Sequence, residues 1–272
     1  MKTYYFIFSK TDLLLQRLPD GKYTIPCTEE TPVKTHAWTH IMEVSPMENG
    51  TLVKTLMLED PQHMEITDPE LRTSGFDFVG LRASFYHLST ELYLKAGKCQ
   101  ELLYWNHNTQ FCGVCGAPMK MHTIISKRCT QCGKEVWPQL ATAIIVLIHR
   151  GDEVLLVHAK NFKGDFYGLV AGFVETGETL EQAVHREVME ETGLTINNLH
   201  YFGSQPWPYP CGLMVGFNAD YVEGEVHLQR SELSHGSWFR YNALPRIPLR
   251  LSIARMILDD WLKGYGIVSE QE

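Results

Sequence analysis

Residues 172–194 read GFVETGETLEQAVHREVMEETGL, and this stretch decides the fold. It has the form of a loop, a helix and a stop. Thr179 followed three residues later by Gln182 fits a capping box, in which each side chain accepts the other's backbone N–H. Gly193 fits a helix end that turns into the left-handed conformation. The spacing predicts a helix between them. At about 100° per residue, Leu180, Ala183 and Val184 share one stripe, as in a helix packed on a core. One and two turns further, the same stripe meets Glu187, Glu190 and Glu191. Gln182, His185 and Met189 lie opposite. A solvated charged face would oppose Leu180 and Val184 rather than continue their line. Like charges three and four residues apart repel in a bare helix, so a compensating positive charge is expected. A hard divalent cation supplies it, and Mg2+ commonly combines carboxylates with substrate phosphates. Arg186 is expected to brace Glu178 across the preceding loop.

Upstream, Ala141 to His149 is a β-rich run, Gly151-Asp152 a turn, and Val154 to His158 a partner strand. Downstream, short strands extend to about residue 241. An amphipathic helix then runs from about Arg250 to Lys263, with Leu251, Ala254, Leu258 and Trp261 near one face. Between them, Ser204-Gln205-Pro206-Trp207-Pro208-Tyr209-Pro210 alternates proline with bulky residues. Such a segment is stiff and extended and cannot be a central strand. Aromatic rings held on it either stack a planar base or pack against the sheet.

Further upstream, Cys112-x2-Cys115 and Cys129-x2-Cys132 are separated by thirteen residues. Each turn presents two thiolates, and the pair of turns completes a tetrahedron, the arrangement of a zinc ribbon. All four positions are filled by protein, so the zinc is expected to be structural. Cys27, Cys99 and Cys211 are expected to be reduced. Residues 1–108 carry no catalytic motif and read as a separate α+β domain. There Leu13–Leu18 and Lys22–Ile25 form a hairpin about Pro19-Asp20-Gly21, and short helices are expected at Asp68–Leu71 and Glu91–Leu94.

The 272 residues are 44% hydrophobic and 21% charged, which fits a folded globular chain and excludes global disorder. A formal net charge of −8 argues against a protein whose main task is coating nucleic acid through a basic surface, and leaves room for a local basic pocket. The most apolar run, Ala141 to Ile148, falls far short of the roughly 20 residues of a spanning helix. The N-terminal block Tyr4 to Phe8 lacks the features of a signal peptide, so a cytoplasmic location is expected.

Gly172 to Leu194 follows the pattern Gly-x5-Glu-x7-Arg-Glu-U-x-Glu-Glu-x-Gly-U, with U apolar, at every position, and so resembles the Nudix box. The resemblance implies an α+β chain in three parts. These are a non-catalytic N-terminal domain (1–108), a zinc-ribbon motif (109–136) and a Nudix hydrolase domain (137–265), the last an α/β/α sandwich with a mixed sheet. It also implies hydrolysis of a nucleoside diphosphate linked to another moiety. Mg2+ or Mn2+ would be held by Glu187, Glu190, Glu191 and the carbonyl of Ala171.

The Ser204–Pro210 string is similar to the signature of the NADH pyrophosphatases, the NudC-like branch, whose members also carry a four-cysteine motif ahead of the Nudix domain. That resemblance implies cleavage of NAD(H) to NMN(H) and AMP, removal of NAD caps from RNA 5′ ends in bacterial members, and a homodimer. Carried onto matching positions, it places Glu232 in the Mg2+ or Mn2+ site and Phe173 on the nicotinamide. Gln205, Pro206, Trp207, Pro208, Tyr209, Pro210, Cys211 and Gly212 would line the dinucleotide site. Trp137 and Ala254 are either further substrate contacts or core. The chain departs from the signature at Cys211-Gly212: a serine usually stands where Gly212 does, so no hydroxyl contact is available there.

Glu187 is expected to be the general base that activates water. Two rival readings remain. One is a Nudix hydrolase for ADP-ribose or a dinucleoside polyphosphate, which the Pro-aromatic segment disfavours. The other is a zinc-ribbon regulator whose Nudix domain senses a nucleotide, which the complete box disfavours.

Overall fold

In the N-terminal sequence, apolar residues are dense enough for strands to be buried on both faces, and a sheet forms. Its strands are β1 (Thr3–Ser9), β2 (Asp12–Arg17), β3 (Tyr23–Thr24), β4 (Cys27–Thr28), β5 (Met42–Val44), β6 (Leu52–Met57) and β7 (Gly75–Gly80). The main path runs β3-β2-β1-β6-β5, with β4 paired to β1 and β7 to β2; β1 and β6 are parallel. Phe6, Ile7, Phe8 and Leu13 to Leu15 are fully buried. The expected hairpin is present. Arg17 pairs with Tyr23, and the Leu18 N–H donates to the Lys22 carbonyl at 2.8 Å.

A short helix α1 (Leu81–Ser84) leads to α2 (Thr90–Asn108). The expected helix at Glu91–Leu94 is thus the first turn of a helix of 19 residues, capped by the Ser89 hydroxyl on the Leu92 N–H. The expected helix at Asp68–Leu71 is only a turn. The Asp68 carboxylate accepts the Glu70 N–H at 2.9 Å, a local bond that competes with helix formation. A three-stranded sheet follows, of β8 (Met119–Thr123), β9 (Ser126–Cys129) and β10 (Glu135–Val136).

The structure, a computed structural model, describes residues 1–162 and 164–267. The chain divides into two units. The first is Met1–Gln139 with Pro208–Cys211, and the second is Leu140–Trp207 with Gly212–Glu272. Among the described residues no helix is long and apolar enough to cross a membrane.

In the second unit the strands are β11 (Ala141–Arg150), β12 (Glu153–Ala159), β13 (Val170–Phe173), β14 (Thr195–Trp207), β15 (Gly212–Glu223) and β16 (Leu233–Arg240). The helices are α3 (Leu180–Thr192) and α4 (Ile253–Lys263). The sheet order is β14-β15-β11-β12-β16, with β13 also on β11. β11 and β15 run parallel and the other pairs antiparallel, so the sheet is mixed as expected. The period of two along each strand assigns its two faces. Ile144, Val146, Ile148, Leu155 and Val157 meet Ala183, Val184 and Val188 of α3. Ile145, Leu147, Val154 and Leu156 meet Ile253, Ala254, Ile257 and Leu258 of α4. The result is the expected α/β/α sandwich.

Pro206 lies within β14, so the Pro-aromatic segment begins as strand. β14 is an edge strand, where a missing N–H is tolerated. Ile257 is fully buried between α4 and the sheet. Ile257→Ala is expected to lower stability by about 2–5 kcal/mol in urea unfolding; a loss within measurement error would contradict this packing.

Candidate active site and zinc centre

The capping box of α3 forms as its sequence dictates. The Thr179 hydroxyl accepts the Gln182 N–H at 3.2 Å, and the Gln182 side chain accepts the Thr179 N–H at 2.8 Å. At the other end Gly193 adopts φ 71°, and its N–H donates to the Met189 carbonyl. Between these stops the apolar stripe runs through Ala183, Val184 and Val188 and then admits a carboxylate. Glu191 is 4% exposed, Glu187 is half-buried and Glu190 is exposed. The stripe thus carries one glutamate inward, one at its margin and one to the surface.

Space for Glu187 is reserved by β13. A Cβ on Gly172 would stand 1.9 Å from the Glu187 carboxyl carbon, so only glycine fits there. Arg186 holds the carboxylates from one side. Its Nε donates to Glu178 Oε2 at 3.0 Å and one Nη to Glu178 Oε1 at 2.6 Å. The other Nη reaches Glu187 at 2.9 Å and Glu190 at 3.1 Å, and the Phe173 carbonyl takes a further bond at 3.0 Å. All five guanidinium N–H groups are engaged, a fork that a lysine cannot reproduce. The expected Arg186–Glu178 brace is therefore present, and it extends to two glutamates of the box. Hydrogen bonds from Arg186, with the Glu175 N–H, hold the Glu178 carboxyl below its ordinary range.

Glu232 reaches this cluster by a separate route. The last carbonyls of α3 lack helical partners. Here the Gln229 N–H donates to the Glu191 carbonyl at 2.9 Å and the His227 N–H to that of Thr192 at 2.8 Å. The segment before β16 is thereby laid along the end of α3. Lys160 N–H fixes the Glu232 carbonyl at 2.8 Å. Burial, then repulsion from Glu187, Glu232 and Glu190, pushes the Glu191 carboxyl up to about 8. Burial also raises Glu187, against the pull of Arg186.

The glutamates are spread more widely than the cysteines. Among the described residues, the four cysteines alone form a group of three or more ligand-type side chains whose ligand atoms all lie within 4.8 Å. Even so, the cluster fits divalent cations. Its donors are hard carboxylate oxygens, burial and then mutual repulsion raise Glu191, and the Gly172 hollow makes room for Glu187.

The remaining expected site residues divide between the units. In the second unit, Phe173 is 66% exposed at the end of β13, while Ala254 is buried among the α4 core residues. Ala171, next to Gly172, pairs with Ile145 of β11 and packs on the α4 side of the sheet. Pro206 is exposed and Trp207 half-buried, at the end of β14. Gly212 opens β15 opposite Trp207. Gln205 is committed to the protein backbone: its amide donates to the Leu251 carbonyl and accepts the Ile253 N–H, both at 2.7 Å. It thereby caps α4, a use its place in the motif did not reveal. Trp137 (exposed) and Pro208, Tyr209, Pro210 and Cys211 belong to the first unit.

The four cysteine sulfurs also gather in the first unit. Cys112 and Cys132 Sγ are 3.6 Å apart, and Cys115 and Cys129 Sγ 3.4 Å. A tetrahedron with Zn–S of about 2.3 Å has S···S edges of about 3.8 Å, so the cage is of the size zinc requires. N–H groups of Val114, Gln131 and Cys132 point at Cys112 and Cys129 sulfurs at 3.4 Å. Those of Cys132 and Gln131 draw the Cys129 thiol down to about 6, favouring the thiolate that binds metal.

Comparison with known proteins gives three family models in tandem. A NADH pyrophosphatase-like rudimentary NUDIX domain matches residues 2–105, a NADH pyrophosphatase zinc ribbon domain 107–136, and a NUDIX domain 138–259. Among similar proteins, the NAD-capped RNA hydrolase NudC of Pseudomonas aeruginosa (strain LESB58) is 40% identical over 205 residues, 75% of this chain and 73% of that protein. The protein of that name from Erwinia tasmaniensis is 42% identical over 193 residues, 70% of this chain and 73% of its own. That of Deinococcus radiodurans is 42% identical over 194 residues, 70% and 69% respectively.

Two outcomes follow from this geometry. Cys129→Ser is expected to reduce bound zinc from about one ion per chain to near zero by elemental analysis; retention of full zinc would refute the cage. In buffer free of Mg2+ and Mn2+, the raised Glu191 carboxyl favours the protonated fold. Its contribution to stability is complete below about pH 4.5 and is lost as pH climbs through about 8. Glu191→Gln, always neutral, should flatten the fall in melting temperature between about pH 5 and about pH 9. Equal falls in both proteins would show that Glu191 ionises normally.

Proposed function

The chain belongs to the Nudix hydrolase family, and from that premise we propose that it hydrolyses the pyrophosphate of NAD(H) to NMN(H) and AMP and removes NAD caps from RNA 5′ ends. The same bond is cut in both substrates, since the cap is an NAD pyrophosphate whose adenosine continues into RNA. The observation that carries the reading is the carboxylate cluster of Glu187, Glu190, Glu191 and Glu232, built around the Gly172 hollow and the Arg186 fork. The choice of dinucleotide rests on the order of the three matched domains and on relatives named NAD-capped RNA hydrolases.

Glu187, Glu190, Glu191 and Glu232, with the Ala171 carbonyl, are the proposed ligands of Mg2+ or Mn2+. The bound cations would neutralise phosphoryl oxygens and acidify water for in-line attack at phosphorus. Glu187 is the proposed general base. Its carboxylate is fixed between Gly172 and Arg186, so it accepts a proton without first being reoriented. Arg186 bridges Glu187 and Glu190 through one Nη, so its positive charge offsets their repulsion. Phe173, exposed at the end of β13, offers its ring to the nicotinamide. Trp207, the Pro208–Gly212 segment, Trp137 and Ala254 are the proposed contacts to the rest of the dinucleotide. With no hydroxyl at Gly212, any contact there is through backbone. Gln205 acts through α4.

The first unit's four cysteines hold structural zinc. We assign the chain to the cytoplasm, where thiols stay reduced, and to a homodimer, which light scattering checks.

Chromatography of products from NADH, ADP-ribose and diadenosine polyphosphates is expected to show NMNH and AMP as the fastest-formed pair. Single-turnover rates on NAD-capped RNA and free NADH in one preparation rank the two substrates. Glu191→Gln should lower kcat by about a hundredfold or more, the several kcal/mol expected from losing a cation ligand. Full activity in a folded Glu191→Gln protein would overturn the site assignment.

A further inference from the structure

The segment Pro208–Cys211 belongs to the first unit, and its contacts there are specific. The Tyr209 hydroxyl lies 2.7 Å from that of Tyr93 on α2. The Arg82 guanidinium sits 5.1 Å over the Tyr209 ring. Tyr93 is itself fixed by an edge contact with Phe85, with ring centroids 5.3 Å apart. One turn along α2, Gly97 faces Pro208: a Cβ there would stand 3.0 Å from Pro208 Cγ. Glycine in the middle of a 19-residue helix is disfavoured relative to alanine, so its presence marks a close approach. Tyr93 and Gly97, four residues apart, lie on one stripe of the helix. Ala96 and Cys99 are fully buried on another, Cys99 against Thr55 of β6. Thus α2 has one stripe for its own core and a second shaped to this segment.

We propose that Tyr93, Gly97 and Arg82 form a mould that sets the conformation of Pro208–Cys211 for substrate binding, giving the N-terminal domain a positioning role in substrate affinity. The proposal rests on the reading that this segment lines the dinucleotide site. It accounts for a domain that carries none of the box carboxylates. The partly buried Tyr93–Tyr209 hydroxyl pair, with Arg82 beside it, restrains Tyr209, and Pro208 seated on Gly97 limits its slide along the helix.

Two variants test this in the full-length protein, with kcat and KM for NADH at saturating Mn2+ and melting temperature as readouts. Tyr93→Phe removes one hydroxyl and nothing else. It is expected to raise KM about three- to tenfold, the scale of one hydrogen bond, with kcat little changed. Gly97→Ala improves helix propensity while pressing on Pro208. KM is expected to rise while the melting temperature holds or increases, a split that simple destabilisation does not give. Unchanged KM in both folded variants would overturn the mould, as would a fall in kcat that merely tracks loss of folded protein. Absence of NADH hydrolysis by the unaltered chain would instead overturn the functional reading itself.

Discussion

Glu191 carries a carboxyl into the stripe that Ala183, Val184 and Val188 occupy, within reach of Glu187, Glu232 and Glu190. Burying a charge among like charges is among the costlier acts available to a fold. Everything around α3 is arranged to support it. The capping box and Gly193 fix both ends of the helix, so its register cannot slip by a residue and carry Glu191 to solvent. Gly172 surrenders a side chain to make room for Glu187. The segment through His227 and Gln229 satisfies the last carbonyls of α3 and, by the same bonds, delivers Glu232. These features are coupled: to loosen the helix end is also to release the fourth carboxylate.

Arg186 shows how charge is managed without neutralising the cluster. Its strongest ties are to Glu178, outside the set of glutamates proposed to bind metal, and only one Nη is shared by Glu187 and Glu190. Glu191 and Glu232 are not among its partners in the hydrogen bonds described. An arginine paired fully with the inner glutamates would compete with cations. Anchored on Glu178 and the Phe173 carbonyl, it orients two carboxylates and leaves oxygen atoms for other ligands.

Much of this was legible in sequence because it obeys local rules. The caps of α3 at Thr179, Gln182 and Gly193 are short-range signals, and the cysteine spacing encodes a cage through two local turns. The unbroken apolar run from Ala143 to Ile148 suits a strand buried on both faces, as β11 is. The Glu178 brace was readable because its partner lies eight residues away on the adjoining loop. The exposure of Glu190 was not readable. Helical angle puts it near the stripe, but Val188 completes the apolar surface, and Glu190 falls outside it, toward solvent. The length of α2 was hidden as well, since its buried positions surround much of the helix and leave no single apolar period. Glu232 had only the resemblance to mark it, because its position depends on bonds to α3 from forty residues away in sequence.

The Pro-aromatic segment shows why a motif's chemistry and its structural use can part. Read as residues, 204–212 is a rigid strip carrying rings. In the fold its consecutive members serve different ends. Pro206 stands on an edge strand, where its missing N–H is harmless. Gln205 spends both ends of its amide on the start of α4, satisfying backbone groups that a helix N-terminus and its approach leave open. Pro208 and Tyr209 are held by α2 residues more than a hundred positions earlier. Rigidity is what makes these uses compatible. A flexible strip would need each contact to restrain its own residue, whereas prolines at 206, 208 and 210 restrict the backbone between them. A few well-placed contacts then suffice to define the whole segment. In its proposed role of lining the dinucleotide site, a segment made in this way would be largely ordered before its ligand arrives, and less of the interaction energy would be consumed in ordering it.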